Sequence, residues 1–214
     1  MVTTQQYDLL YDNGAELVFV GDTFYNHHLT NHFSSFRRCQ IVQIEDIENN
    51  SQSWFDNHQF MSAASNVKTK YFLTERIAKM NPHYFSVIGS GNNFYNLDVG
   101  YNTYIQNYNT AIFGDATVGN HCTIGNYNIL SHQTSIGDYC HVSSYSFINF
   151  SRIDNGNCVA LRTNILGKPD AVLNITDHCN FMINSVVTKS IKIPGTYFSN
   201  RRQSGKTSVD YDVL

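Results

Sequence analysis

Between positions 118 and 148 an aliphatic residue recurs at every sixth position: Val118, Ile124, Leu130, Ile136, Val142 and Ile148. Gly119, Gly125 and Gly137 directly follow three of them. An α-helix repeats every 3.6 residues and a half-buried strand every two, so neither produces this pattern. A solenoid does, if each turn has three short flat faces of six residues. The positions two before each aliphatic are Ala116, Cys122, Asn128, Thr134, Cys140 and Ser146. One bulky and one compact inward residue per face suit a narrow triangular interior. The six-step opens at Val99 and Ile105, comes one residue late at Ile112, and restarts with Ile153, Val159 and Ile165. Gly167-Lys168-Pro169-Asp170 interrupts it before it resumes with Ile175, Phe181, Val187 and Ile193. Glycine and proline there predict a loop leaving the coil.

The first 90 residues follow a different pattern. Strands are predicted at 17–20, closed by Gly21, and at 41–44, 60–63 and 85–88. A polar, histidine-bearing stretch (Asp22, Thr23, Asn26, His27, His28) leads into a predicted helix at 29–36. Asn66 is placed to cap a second helix reaching about residue 80, with Phe72, Leu73, Ile77 and Met80 on one side. Asn81-Pro82 would end it. Strand–helix–strand alternation predicts a small parallel α/β domain. The expected division is 1–88 for that domain, 89–198 for the solenoid and 199–214 for a tail.

Composition narrows the function classes. Lys and Arg number 14 against 17 Asp and Glu, a net charge of -3, without the concentrated basic charge a nucleic-acid surface needs. No apolar run approaches the roughly 20 residues of a membrane span. Residues 1–12 carry two acids and no basic residue, unlike a secretory signal. Five cysteines, an odd number, then read as free thiols in a cytoplasmic protein. Cys122, Cys140 and Cys158 are evenly spaced, but a metal site wants converging thiolates with histidine support. The register points Cys122 and Cys140 inward and His121 and His141 outward, so the cysteines read as small core residues and no metal is expected. Gly21-Asp22-Thr23-Phe24-Tyr25-Asn26 offers one glycine where a dinucleotide fingerprint needs three, which argues against a dinucleotide.

Val118-Gly119, Ile124-Gly125 and Ile136-Gly137, with Ser185-Val186-Val187-Thr188-Lys189 and Ile193-Pro194-Gly195-Thr196, resemble the left-handed β-helix (hexapeptide-repeat) acyltransferases. With a short α/β domain ahead of the coil, the chain resembles the bacterial nucleotide-sugar N-acetyltransferases of surface-glycan and sialic-acid pathways. The resemblance implies an α/β N-terminal domain followed by a left-handed parallel β-helix, and a homotrimer. It also implies acetyl-CoA as co-substrate between neighbouring β-helices of the trimer, and a nucleotide-linked sugar held partly by the N-terminal domain.

Within Leu130-Ser131-His132-Gln133, the resemblance implies that His132 is the general base and that residue 133 orients it. His141, nine residues on, would lie near the thioester. An amine attacking a thioester must lose a proton, and an imidazole titrates close to neutrality, as that task requires. Two departures stand out. Gln133 occupies a position where the family usually has an acid, and Ser144-Tyr145 replaces a small, glycine-containing step. Candidate coenzyme residues are His141, Ser144, Tyr145, Arg162, Asn184 and Arg201, with Arg202 and Lys206 able either to meet phosphates or to keep a tail soluble. For the sugar nucleotide they are Asp22, Thr23, Phe24, Tyr25, Ser65, Asn66 and Ser90. Three readings stay open: N-acetylation of a nucleotide-linked amino-deoxy sugar, transfer to a hydroxyl or from a longer acyl donor, and a catalytically silent trimer that binds sugar nucleotides.

Overall fold

A computed structural model describes residues 7–203 except 36, 48 and 109–115. The solenoid is present, with three parallel faces wound left-handed. The first face stacks Ser86–Gly89, Tyr104–Ile105, Thr123–Ile124, His141–Val142, Cys158–Val159, Cys179–Phe181 and Gly195–Phe198. The second holds Ile129–Leu130, Phe147–Asn149, Asn164–Leu166 and Val186–Val187. The third holds Leu97–Val99, Ala116–Val118, Ser135–Ile136, Ser151–Ile153 and Leu173–Ile175. Val118, Ile124, Leu130, Ile136, Val142 and Ile148 share one buried core, and Cys122, Asn128, Thr134, Cys140 and Ser146 are buried between them. Ile112 lies outside the described residues, as does Lys206.

The pairing register shows where the repeat slips. Thr123 pairs with His141 and Ile129 with Phe147, but Ser135 pairs with Arg152 and His141 with Cys158. One residue is therefore missing from the corner between the second and third faces, where Phe150 alone joins two strands. This corrects the reading of Cys158. It pairs with His141 at an outward position of the first face, while Asn157 takes the inward place beside Cys140 and Cys179 resumes the column.

The glycines after the aliphatics mark where successive coils touch. A Cβ on Gly119 would lie 2.8 Å from the Gly137 carbonyl carbon and 2.9 Å from the Asp138 amide nitrogen. Backbone cannot yield as a flexible side chain can. Gly119→Ala is therefore expected to destabilise the fold by about 1–3 kcal/mol, read as a lower urea midpoint at unchanged slope.

The N-terminal domain is a four-stranded parallel sheet ordered Cys39–Val42, Glu16–Val20, His58–Met61, His83–Tyr84. The strand expected at 85–88 is found at Ser86–Gly89, but it joins the first face of the solenoid, and His83–Tyr84 takes its place. Tyr7–Leu10 was not foreseen; it pairs antiparallel with Ser86–Gly89. The expected boundary at 88 thus falls inside a solenoid strand.

The first helix spans Phe24–Phe33, five residues earlier than expected. Thr23 caps it by accepting from the Asn26 amide, and buried Asn26 donates to the carbonyls of Val20 and Gly21. The cap and tether start the helix inside the stretch that reads as a polar loop. The second helix, Val67–Ala78, is capped by Asn66 as expected. Short helices Ile44–Ile47 and Gln52–Asp56 were not foreseen.

This domain lies on the first face. Tyr71 stacks on Tyr139 at 3.9 Å between ring centres, Tyr84 on Tyr101 at 5.5 Å, and Tyr25 meets Tyr104 edge-on at 5.6 Å. Thr123 donates to the Ala64 carbonyl and receives the ammonium of Lys70.

Candidate active site

His132 stands on the corner between the second and third faces, exposed, immediately after strand Ile129–Leu130. Ser131 and Thr134 on either side are buried, and the Ser131 amide and Thr134 hydroxyl both donate to the Ile148 carbonyl of the next coil. Those anchors leave His132 and Gln133 as the outward arc of the corner. Gln133 has φ 47°, a left-handed conformation that turns the chain onto the third face. The His132 ring lies nearly parallel to Phe150 of the next coil, 5.5 Å between centres and 18° between planes.

His141 sits elsewhere. It opens the first-face strand and points away from the coil interior, as the register predicts, but it is buried rather than open, and so is His121. Both lie beneath the N-terminal domain. Burial, aided by the Lys70 charge, pushes each imidazole down to about 3, so both are neutral at physiological pH. His141 Nε2 meets Ser143 Oγ at 3.0 Å, and its Nδ1 is buried without a partner. The two histidines, read as one site from their spacing, occupy a corner and the face opposite that corner.

Three of the coenzyme candidates, Tyr145, Arg162 and Asn184, form a column with Tyr108 and Tyr127 on the corner between the first and second faces. Tyr108, Tyr127, Tyr145, Arg162 and Asn184 all have φ between 57° and 61° and stack coil on coil. Tyr127 and Tyr145 are parallel at 5.1 Å, and the Arg162 guanidinium lies 6.0 Å over the Tyr145 ring. Tyr145, Arg162 and Asn184 are exposed. Ser144 is not free for a ligand in the same way, since its hydroxyl accepts from the Asn126 amide. A guanidinium beside an exposed ring and an amide suits an anionic chain with a planar base, which coenzyme A has. Arg201 is apart from this column, in a short strand, Arg201–Arg202, that pairs antiparallel with the last solenoid strand.

Most of the sugar-nucleotide candidates do meet. The strands of the N-terminal sheet are parallel, and their C-terminal ends gather Asp22, Thr23, Ser65 and Asn66 at one edge, where open α/β sheets bind ligands. Thr23 Oγ1 donates to the Ala63 carbonyl at 2.6 Å, joining the two segments. Asp22 contacts the ring of His27. Phe24 is the most exposed large apolar side chain described, at 80%. Tyr25 belongs to the helix and packs inward on Tyr104. Ser90 follows the solenoid strand instead, its carbonyl accepting from the Tyr108 amide.

Two concavities lie away from these residues. A trough of about 1010 Å³ runs along the third face, lined by Asp98, Asp138, Asp154 and Asp177. Its acids repel phosphate, so neither coenzyme A nor a sugar nucleotide suits it. A cleft of about 600 Å³ at the domain junction, with Gln59, Pro82, Tyr84 and His121 in its walls, opens at the other end of the N-terminal sheet. Among the described residues no group of three His, Cys, Asp or Glu is placed to hold a metal ion, and no helix is long and apolar enough to cross a membrane.

Sequence reading missed Lys70 and Phe150. Lys70 falls on the apolar side of its helix, three residues before Leu73 and seven before Ile77, and that spacing is a burial signal. Phe150 is marked by the step of five from Ile148 to Ile153.

The fold is a left-handed hexapeptide-repeat β-helix with an α/β domain ahead of it. Residues 115–149, which include both His132 and His141, match the family described as bacterial transferase hexapeptide (six repeats). The fold is that of PerB from Caulobacter crescentus, solved in complex with CoA and GDP-perosamine, at a TM-score of 0.73, 10% identity, and 89% and 98% coverage of this chain and that one. It is also that of the acetyltransferase domain of PglB from Neisseria gonorrhoeae, at 0.68, 11%, 88% and 98%. WeeI from Acinetobacter baumannii gives 0.62, 14%, 88% and 99%. No curated protein matches the chain by sequence.

Proposed function

We propose that the chain is an acetyl-CoA-dependent N-acetyltransferase acting on a nucleotide-linked amino-deoxy sugar, working as a cytoplasmic homotrimer. The observation that carries the reading is His132, exposed on a corner within the stretch matching transferase hexapeptides. In the reaction the sugar amine gives up a proton to the His132 imidazole as its nitrogen bonds to the thioester carbon. The C–S bond then breaks, and the proton passes on to the departing thiolate, giving free CoA. Coenzyme A supplies the activated acetyl group; Arg162, Asn184 and Tyr145 are the residues that would hold it. No covalent acyl-enzyme is required, and the solenoid cysteines are buried.

The placement of the parts supports the trimer. The sugar edge belongs to a domain seated on the first face, and His132 occupies the corner opposite that face. Within one chain the two face away from each other. A second copy, presenting its corner to this chain's sugar edge, brings them together, and a trimer does so three times.

Release of free CoA across a panel of nucleotide-linked amino sugars tests the reading. Turnover that depends on His132 supports it, and sugar-nucleotide binding without any turnover defeats it. Gln133 favours a second reading, transfer to a hydroxyl, because a neutral amide orients an imidazole without stabilising its cation. Under the amine reading, Gln133→Glu is expected to raise kcat about tenfold at unchanged KM, measured by initial rates.

A further inference from the structure

We infer that Phe150 is a positioning residue for His132, its ring holding and shielding the imidazole in place of a carboxylate at position 133. The inference rests on His132 being the base. Three observations meet at this corner. The six-residue step fails between Ile148 and Ile153, so the coil next to His132 turns from the second face to the third through Phe150 alone. Phe150 makes that turn at φ 43°, the left-handed corner conformation it shares with Gln133 and with Tyr127 and Tyr145 at another corner. Its ring then lies nearly parallel to that of His132, 5.5 Å between centres.

The backbone that carries the ring is fixed from both neighbouring coils. The Phe150 amide donates to the His132 carbonyl at 2.8 Å, and the Phe150 carbonyl accepts from the Leu173 amide at 3.0 Å. Gly167 lies so close that a Cβ there would sit 2.0 Å from the Phe150 carbonyl oxygen, which keeps that side of the corner bare. A nearly parallel ring limits rotation of the imidazole without occupying the plane in which its nitrogens exchange a proton. As the imidazole becomes an imidazolium, the negative face of the phenyl ring attracts it. Gln133 cannot supply that attraction, being uncharged.

Phe150→Leu keeps apolar bulk and removes the π face, whereas Phe150→Tyr keeps both. The expected result is a kcat lowered about tenfold in Phe150→Leu with KM for both substrates within about twofold, and recovery in Phe150→Tyr. A purely space-filling role predicts full activity in Phe150→Leu, and that result overturns the inference. Proton NMR of the wild-type protein gives an answer that needs no variant to fold: the His132 ring protons should be displaced upfield by the phenyl ring current. Undisplaced signals overturn the inference too. If wild type turns over no acyl donor, both this and the acyltransferase reading fall. If His132→Ala is inactive while Phe150→Leu is normal, only the role of Phe150 falls.

Discussion

His132→Ala is expected to lower acetyl transfer by about 10²- to 10⁴-fold, the range a positioned general base contributes, with the melting temperature intact. Stability should survive because the side chain is exposed and the turn is held by its buried neighbours, Ser131 and Thr134, through the Ile148 carbonyl. The loss should fall on kcat, because the base acts as the amine attacks rather than when substrates bind. The measurement is the rate of CoA release at saturating acetyl-CoA and sugar nucleotide, with sugar-nucleotide affinity followed separately by calorimetry. A variant that keeps wild-type kcat would remove His132 from the chemistry. A variant that loses only binding would turn the corner into a recognition site.

Lys70 carries the largest expected effect on stability. Its ammonium is wholly buried between the second helix and the first face, on Thr123, with neutral His121 and His141 near it. Burial lowers it from 10.5 to about 7. In an unfolded chain a lysine keeps its proton to about pH 10.4, so between pH 7 and 10 the unfolded state binds more protons than the folded one. Stability therefore rises with pH across that window, by about 1.4 kcal/mol per unit at most. Below pH 7 both states are protonated and the full cost of burying the charge is present. Lys70→Met keeps the apolar stem and should lose the dependence, gaining on wild type most at pH 6 and least at pH 10. Urea unfolding of both proteins at several pH values would show it, and parallel profiles would place the charge in solvent.

The solenoid was legible because each face repeats one simple demand, a bulky and a compact residue facing inward, and Val118 through Ile148 answer it without a break. The exposure of His132 followed from the same register. What the register could not give was the covering of the first face. His141 and His121 point outward in the repeat, and only the tertiary contacts through Tyr71, Tyr84 and Lys70 bury them. The antiparallel strand Tyr7–Leu10 was hidden because its partner is about eighty residues away in the chain. The start of the first helix was missed because polar Asn26 reads as loop, while its side chain does the inward work of a tether. The slip at Phe150 was visible as the step of five from Ile148 to Ile153. Its cause, a missing corner residue beside the proposed base, needed the pairing register.

The two antiparallel strands at the ends of the first face bear on how the molecule behaves in a crowded cell. A stack of parallel coils leaves an open edge above and below, and one coil is an ideal template for the next. Here the sequence of parallel strands is closed at one end by Tyr7–Leu10 and at the other by the turn-back through Arg201–Arg202, whose two cations border the outermost edge. A reversed strand offers an incoming parallel coil the wrong hydrogen-bond spacing, and charge on an edge discourages pairing. Chains that lack either strand should join end to end into filaments.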